Sequence, residues 1–455
     1  MRVVQNFFPD LVGYSKPKLI KDLSAGLTVG IVALPLSLAL AIAAGVEPVI
    51  GLYTAGIAGL LAGLFAGSAY SVSGPAAAMV PVLVATVNQF GAKNLPMITM
   101  LAGLFLILFG LIGVGKLIVR IPESVVLGFT AGVAIVIFFG QLNAFFGLSG
   151  LEAHTHFHEK TLETLKHVGV LHLPTLVLGV LSVGIIVSAN KLKPIAKIPS
   201  TLLAVAVATL LCKFVPYFQP VKTLSNAYGP IAEGLPRLVS NLPTFEGAFI
   251  VPALKIAFLI AIESLLCALV ADRITKTKHR PGQELTAQGI ANIGSFLFGG
   301  IPATAVIART GTAIKSHAVS RVTTIIHALT VLVFLALLAP VANTIPLTAL
   351  SAVLLVTAIR ISEYKEVSRA IKSHAADFDI TLLVTLVLTV ITDLTIGVSV
   401  GVAAYVLRRV VFHRLAESRR ALVSDFADDQ EDLVEPARIG TKSKALAKKF
   451  FGSFL

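Results

Sequence analysis

The chain has 455 residues, of which 56% are hydrophobic and only 13% charged, with a mean hydropathy of +0.88. These values exclude a soluble globule and a disordered chain, and they require a polytopic membrane protein. The net charge of +13 would suit a nucleic-acid partner only if a basic stripe with interleaved aromatics accompanied it, and none occurs.

Residues 1–22 are polar and basic, with Lys16, Lys18 and Lys21 just ahead of the first apolar segment, and read as a cytoplasmic N-terminus. Helix 1 is expected from about Leu23 to Ala44, with Pro35 in its middle and Ser37 as the nearest polar side chain able to face a cavity. Proline there frees the carbonyl one turn back and lets a helix open. Helix 2 covers about Val49 to Ala66. The segment Ser71-Val72-Ser73-Gly74-Pro75-Ala76-Ala77-Ala78 then predicts an extended lead-in, a helix start at Gly74-Pro75 and a span that begins partway through the bilayer, reaching about Gln89. Helix 4 (about Pro96 to Gly115), helix 5 (Val125 to Phe146), helix 6 (Pro174 to Ala189) and helix 7 (Ser200 to Val215) follow, and residues 216–247 form a long polar loop.

Helix 8 runs from about Phe249 to Ala271 and carries Glu263 near its middle; helix 9 ends at Phe298. Next comes Gly299-Gly-Ile-Pro-Ala-Thr-Ala-Val-Ile-Ala-Arg-Thr-Gly311, too short for a span of about 20 residues and interrupted where a membrane helix should be continuous. Non-helical backbone at that depth is tolerated only inside protein or beside a watery cavity. A helix beginning there aims unsatisfied N–H groups and a positive dipole end at the cavity, which suits an anion. Arg309 adds a full charge one turn further in. On the plainer reading the stretch is a tight turn and Arg309 snorkels to a headgroup, but intramembrane charges are functional by default. Helices 11 (Thr323 to Ala339), 12 (Pro346 to Ala358), 13 (Phe378 to Thr392) and 14 (Thr395 to Leu407) close the membrane part. Residues 360–374 are either an interfacial helix or a solvated linker, and 410–455 a charged cytoplasmic tail.

The expected fold is therefore an all-α polytopic membrane protein with fourteen segments, seven before the central loop and seven after. Alternating them from a cytoplasmic N-terminus puts most of the 37 Lys and Arg on the inner side, as the positive-inside rule asks. The two halves, 23–215 and 248–409, then have opposite orientation. The broken elements fall third and tenth, at equivalent places in a 7+7 inverted repeat, with N-termini meeting at the midplane. Paired Gly/Pro-interrupted segments of this kind point to a transporter's binding site.

The apolar setting of Cys212 and Cys267 argues against a disulfide framework or a thiolate metal site, and no cofactor or cleavable signal is called for. His154, His156 and His158 alternate beside Glu152 and Glu159, a pattern open to zinc or, without a fixed scaffold, to a solvated loop. Gln288 and Asn292, four apart on helix 9, are expected to hydrogen-bond within the core rather than touch substrate. Asp272 is expected to form a surface or gate salt bridge beside Arg273.

Ser71 to Ala78, Ala33-Leu34-Pro35, Ile262 to Leu266, Ala287 to Asn292, Gly299 to Thr310 and Ile391-Thr392-Asp393-Leu394-Thr395 together resemble the SulP (solute carrier 26) family of anion transporters, over roughly residues 20–411. The resemblance implies a homodimer in which a core domain (helices 1–4 and 8–11) moves against a gate domain (5–7 and 12–14). It puts Ser73, Gly74, Thr304, Ala305 and Val306 at the anion site, with Pro35 and Ser37 on the helix 1 wall. The family's usual C-terminal STAS domain does not fit in the tail present here. Glu263, by its depth and its family position, is the expected proton-coupling group; the competing reading pairs it permanently with Arg309 or a helix N-terminus. Relatives that couple to sodium resemble an Asp with a hydroxyl one turn later, whereas Cys267 follows Glu263 and suits a hard cation poorly.

These features point to a secondary active transporter of small anions in the cell inner membrane, bicarbonate or sulfate first, by proton symport. An exchanger, an uncoupled uniporter and a dicarboxylate carrier stay open. A nucleobase carrier fits poorly with cationic Arg309, and a membrane enzyme lacks any nucleophile or base constellation inside the spans.

Overall fold

Lipid tails are as apolar as leucine, so helices in a membrane associate through close packing rather than through the hydrophobic effect, and small residues decide where they meet. That logic organises the computed structural model, which describes residues 9–118, 122–148, 157–191, 198–231, 234–240, 243–372, 376–392 and 396–409. Its elements are α1 (Lys16–Ala43), α2 (Pro48–Phe65), β1 (Ser73–Gly74), α3 (Val80–Phe90), α4 (Leu95–Leu111), α5 (Glu123–Gly140), α6 (Leu173–Ser188) and α7 (Ser200–Phe214). They continue with α8 (Ile250–Thr275), α9 (Pro281–Leu297), β2 (Thr304–Ala305), α10 (Ile307–Lys315), α11 (Val322–Asn343), α12 (Leu347–Ile361) and α13 (Ala376–Ile391). Residues 396–409 are also helical. Among the described residues, seven helices are long and apolar enough to cross a membrane. The chain divides into two compact units, 1–402 and 403–455; of the second, only the helical residues 403–409 are described.

Glycines at helical spacing mark the contacts. Gly103 and Gly110 of α4 lie against Gly289 and Gly282 of α9, so close that a Cβ at Gly103 would come 2.7 Å from the Gly289 carbonyl. Gly26 and Gly30 bring α1 onto Ile326 and Thr330 of α11, and Gly128 and Gly132 bring α5 onto Leu382, Thr385 and Thr389 of α13. α1, α2, α4, α8, α9 and α11 pack mainly on one another, and so do α5, α6, α7, α12 and α13.

Several boundaries differ from the sequence expectation. α1 begins at Lys16, with Pro17 in its first turn, so the three lysines belong to the helix and not to a polar leader; proline is well suited to a first turn, where its missing N–H costs nothing. α1 also runs through Pro35 without a break. The third helix starts not at Gly74-Pro75 but after a 3-10 turn at Ala77–Met79, because Ala76 is still extended at φ −122°, ψ 142°. Residues Tyr364–Lys372 of the segment left open between linker and surface helix are helical. Asp272 accepts from the backbone N–H and Nδ1 of His279, at 2.8 and 2.7 Å, and from Thr277; it closes the α8–α9 turn, with His279 as its ion-pair partner. His154, His156, the side chain of His158, Asp393 and the tail 410–455 lie outside the described residues.

The start of α1 is held by a buried acid. Asp22, fully buried, accepts hydrogen bonds from Val319 N (2.7 Å), Ser320 N (3.2 Å), Ser320 Oγ (2.5 Å), Thr323 Oγ1 (2.7 Å) and Tyr14 Oη (2.8 Å). Burial first, and then Asp22, push the Tyr14 phenol up to about 12. Beside this cage Arg321 makes a forked contact to Asp10, with its Nη2 at 2.7 Å and its Nε at 2.9 and 3.0 Å. Burial opposes the Asp10 charge, yet this pairing holds the carboxyl below its ordinary 3.8.

Candidate functional site

Two chain breaks, more than two hundred residues apart, meet in one short ladder. β1 and β2 pair antiparallel, Ser73 opposite Ala305 and Gly74 opposite Thr304, and Val306 N donates to Val72 O at 2.9 Å to extend the pairing. Backbone taken out of a helix must find its partners elsewhere; here each broken segment supplies the other. The helical turns that follow, at Ala77 and Ile307, start without a side-chain cap. Their first N–H groups, which no helix can satisfy internally, begin just beyond the ladder.

Side chains from four helices lock the ladder. On α9, Gln288 Nε2 donates to Ser73 Oγ (2.7 Å) and Glu284 Oε1 (3.2 Å), while Glu284 Oε2 accepts from Gly67 N and Ser68 N, both at 2.9 Å. Asn292 makes a two-way pair with Ala303, donating to its carbonyl and accepting from its N–H, both at 2.9 Å. Thr54 of α2 accepts from Ile301 N at 2.9 Å, and Thr324 of α11 donates to Ser71 O at 2.9 Å. On α8, Ser264 meets Thr304 Oγ1 at 2.8 Å and accepts from Ala305 N at 3.2 Å. Gln288 and Asn292 thus hydrogen-bond within the core, and the partners they hold are the two broken segments.

Arg309 is 1% exposed, which removes the snorkelling alternative. Its Nη2 donates to Ser37 Oγ (3.1 Å) and Pro75 O (3.3 Å), whereas Nε and Nη1 have no partner among the described residues. Nη1 lies against Gly74, in the space a Cβ would fill. A buried guanidinium with two unengaged donor nitrogens is costly without an anion, so the arrangement is chemically poised to receive one. Ser73, Gly74, Ala305, Arg309 and Ser37 are therefore neighbours, with Pro35 two residues along α1. Thr304 belongs to the ladder, but its hydroxyl is turned to Ser264 and to the Ile260 carbonyl (3.4 Å), leaving backbone contact as its only means of reaching a ligand. Val306 is half-buried at the foot of α10.

Glu263 is half-buried on α8, and its Oε2 is enclosed without a partner. Among the described residues no ion pair joins it to Arg309, which leaves the Arg309 half of the permanent-pair reading without support. Cys267, one turn on, donates to Thr310 Oγ1 at 3.1 Å, and Thr310 accepts from Val72 N at 3.0 Å. Sequence reasoning missed Ser264, Thr310 and Thr324, ordinary-looking hydroxyls in apolar helices. It also missed Glu284, although Glu284, Gln288, Asn292 and Ser295 form a polar stripe at helical spacing.

A bundle of apolar helices in which two broken segments pair at a buried cation defines a multi-pass membrane protein of the transporter class. Residues 19–385 match the profile of the Sulfate permease family, and the chain belongs to that family. It is 41% identical over 368 residues to YvdB of Bacillus subtilis (strain 168), a protein provisionally named a sulfate transporter, covering 80% of this chain and 69% of YvdB. It is 31% identical over 360 residues to the bicarbonate transporter BicA of Picosynechococcus sp., covering 77% of this chain and 63% of that relative, just under two-thirds of its length. The transmembrane domain of a cyanobacterial BicA superposes with a TM-score of 0.74 at 27% identity, covering 86% of this chain and 98% of that one. Murine Slc26a9, an anion transporter solved in the inward-facing state, shares the fold with a TM-score of 0.79 at 19% identity, covering 90% and 72% of the two chains.

Proposed function

We propose that this protein is a secondary active transporter of small anions, bicarbonate or sulfate, working by alternating access. The observation that carries the reading is the buried, half-engaged Arg309 beside a ladder from which two uncapped helices depart. The anion would lie against Arg309 and the first N–H groups of the Ala77 turn and of α10, framed by Ser73, Gly74, Ala305, Val306 and the backbone of Thr304, with Pro35 and Ser37 behind. Small side chains there favour a compact oxyanion over a bulky dicarboxylate. The names of YvdB and BicA support the same two substrates.

The mechanism rests on fourteen spans in two inverted repeats, 23–215 and 248–409, joined by an outer loop at 216–247, with both termini cytoplasmic in the cell inner membrane. The separate packing of α1, α2, α4, α8, α9 and α11 supports a core that moves against a gate of α5–α7, α12, α13 and the helical residues 396–409, within a homodimer. Glu263, enclosed at one oxygen and free of Arg309, is the candidate to take up a proton with the anion and release both inside. Cys267, engaged by Thr310, is a poor hard-cation ligand, which favours protons over sodium.

The test is uptake of radiolabelled bicarbonate, sulfate and fumarate into proteoliposomes under an inward proton gradient, with and without a protonophore. Gradient-driven uptake of one anion, made insensitive to pH by Glu263→Gln, is the expected result. Uptake that needs a counter-anion inside and ignores the protonophore would make the protein an exchanger and remove the coupling role.

A further inference from the structure

A second cavity, of about 450 Å³, lies away from the ladder, at the end of the bundle where α1, α9 and α11 begin and α2 and α8 end. Lys18, Lys278, His279, Arg280 and Arg321 face it, with Asp10 and Asp272 as the acids. Four of these groups are engaged with one another: Arg321 with Asp10, and His279 with Asp272. Among the described residues Lys18 reaches only the Gly13 carbonyl, at 3.2 Å. Lys278 and Arg280 are exposed, and the acids on the wall are already spent. The cavity therefore holds a surplus of positive charge on a rigid frame. A second observation points the same way. The His279 side chain is 5% exposed, with Nδ1 on Asp272 at 2.7 Å, and its Nε2 is buried without a partner. A buried nitrogen left unmatched costs free energy that a ligand can recover. In the imidazolium form, held by the Asp272 carboxylate, Nε2 becomes a donor directed at an anion.

We propose that this cavity binds a phosphate-bearing anion, either free phosphate or the headgroup of an acidic phospholipid, through Lys278, Arg280, Lys18 and the Nε2–H of His279. Lys and Arg around a phosphate are a common recognition set, and the volume accommodates a phosphate ester. The walls come from α1, the α2–β1 segment, the α8–α9 turn and the segment leading into α11. An occupant would brace together the elements that carry Asp22 and the ladder.

The experiment uses the full chain purified in detergent. Inorganic phosphate is titrated while melting is followed, and lipid retention is counted by native mass spectrometry from micelles holding phosphatidylglycerol or phosphatidylcholine. Lys278→Ala/Arg280→Ala removes two exposed side chains with little risk to folding. Arg273→Ala/Lys276→Ala removes the same charge from neighbouring exposed positions that do not line the cavity. Loss of one charge-assisted hydrogen bond weakens binding by about tenfold, so the first variant should lose about a hundredfold in phosphate affinity or most of its retained phosphatidylglycerol, and the second almost nothing. A response to phosphate alone identifies a soluble ligand; retention of phosphatidylglycerol that phosphate does not displace identifies lipid. Equal behaviour of both double variants, or no binding of either probe to the unaltered protein, overturns the proposal.

Discussion

Gly74→Ala should disable the transporter without unfolding it. The added Cβ would occupy the position of Arg309 Nη1, and the guanidinium has little room to retreat because Nη2 is tied to Ser37 and Pro75. Giving up both contacts costs about 3 kcal/mol if each is taken at the low end of the range for hydrogen bonds to charged groups. That corresponds to roughly a hundredfold in substrate binding or turnover. Gly311→Ala is the matched control, since it sits on the same α10 with nothing within 4 Å of an added Cβ. Initial uptake rates across a range of anion concentrations, normalised to the amount of protein in the liposome, measure the effect. Equal rates for the two variants would mean that Arg309 does not act from its observed position, and the assignment of the anion site would fall with it.

Three other outcomes follow from the hydrogen-bond network. Asp22→Asn keeps the shape but leaves several of five donors unmatched, and should cost about 3–5 kcal/mol, read as a large fall in melting temperature. Gln288→Met strands the Ser73 hydroxyl and removes a partner from buried Glu284; a loss of about 2–3 kcal/mol and reduced uptake are expected, whereas an unchanged melt would show the ladder to be held by its backbone alone. Tyr14 is an acid whose folded pKa is raised, to about 12. Its contribution is therefore complete below the unfolded value of 10.0 and is lost as pH rises through 12. Alkaline titration of the melting temperature should show that decline, and Tyr14→Phe should remove it.

The parts of this architecture legible in the sequence were those written as local contradictions. Gly299-Gly300-Ile301-Pro302 and Ser73-Gly74-Pro75 stand out because glycine and proline have no ordinary place within apolar spans, and Arg309 because a charge there demands a reason. The partners were not legible. Nothing in the order of residues says that Ser73 will face Ala305, that Thr304 will spend its hydroxyl on Ser264, or that Asp22, which reads as an acid at a helix start, will gather five donors. Such pairings are fixed by helix packing between distant segments, which local pattern does not encode. Helix starts were misread for a similar reason: Pro75 looks like a first helical residue, but the ladder holds the chain extended through Ala76.

The cage around Asp22 also sets a schedule for synthesis. Its donors at Val319, Ser320 and Thr323 lie about 300 residues downstream, and Arg321, the partner of Asp10, is 311 residues from it. At about 5–20 residues per second, a ribosome needs roughly 15–60 s to deliver them after α1 has emerged. Through that interval only Tyr14, of the five donors to Asp22, is present, and the seat of the first helix is completed only when the start of α11 arrives. A chain that stalls or is cut before Val319 therefore lacks four of the five donors that seat its own first helix.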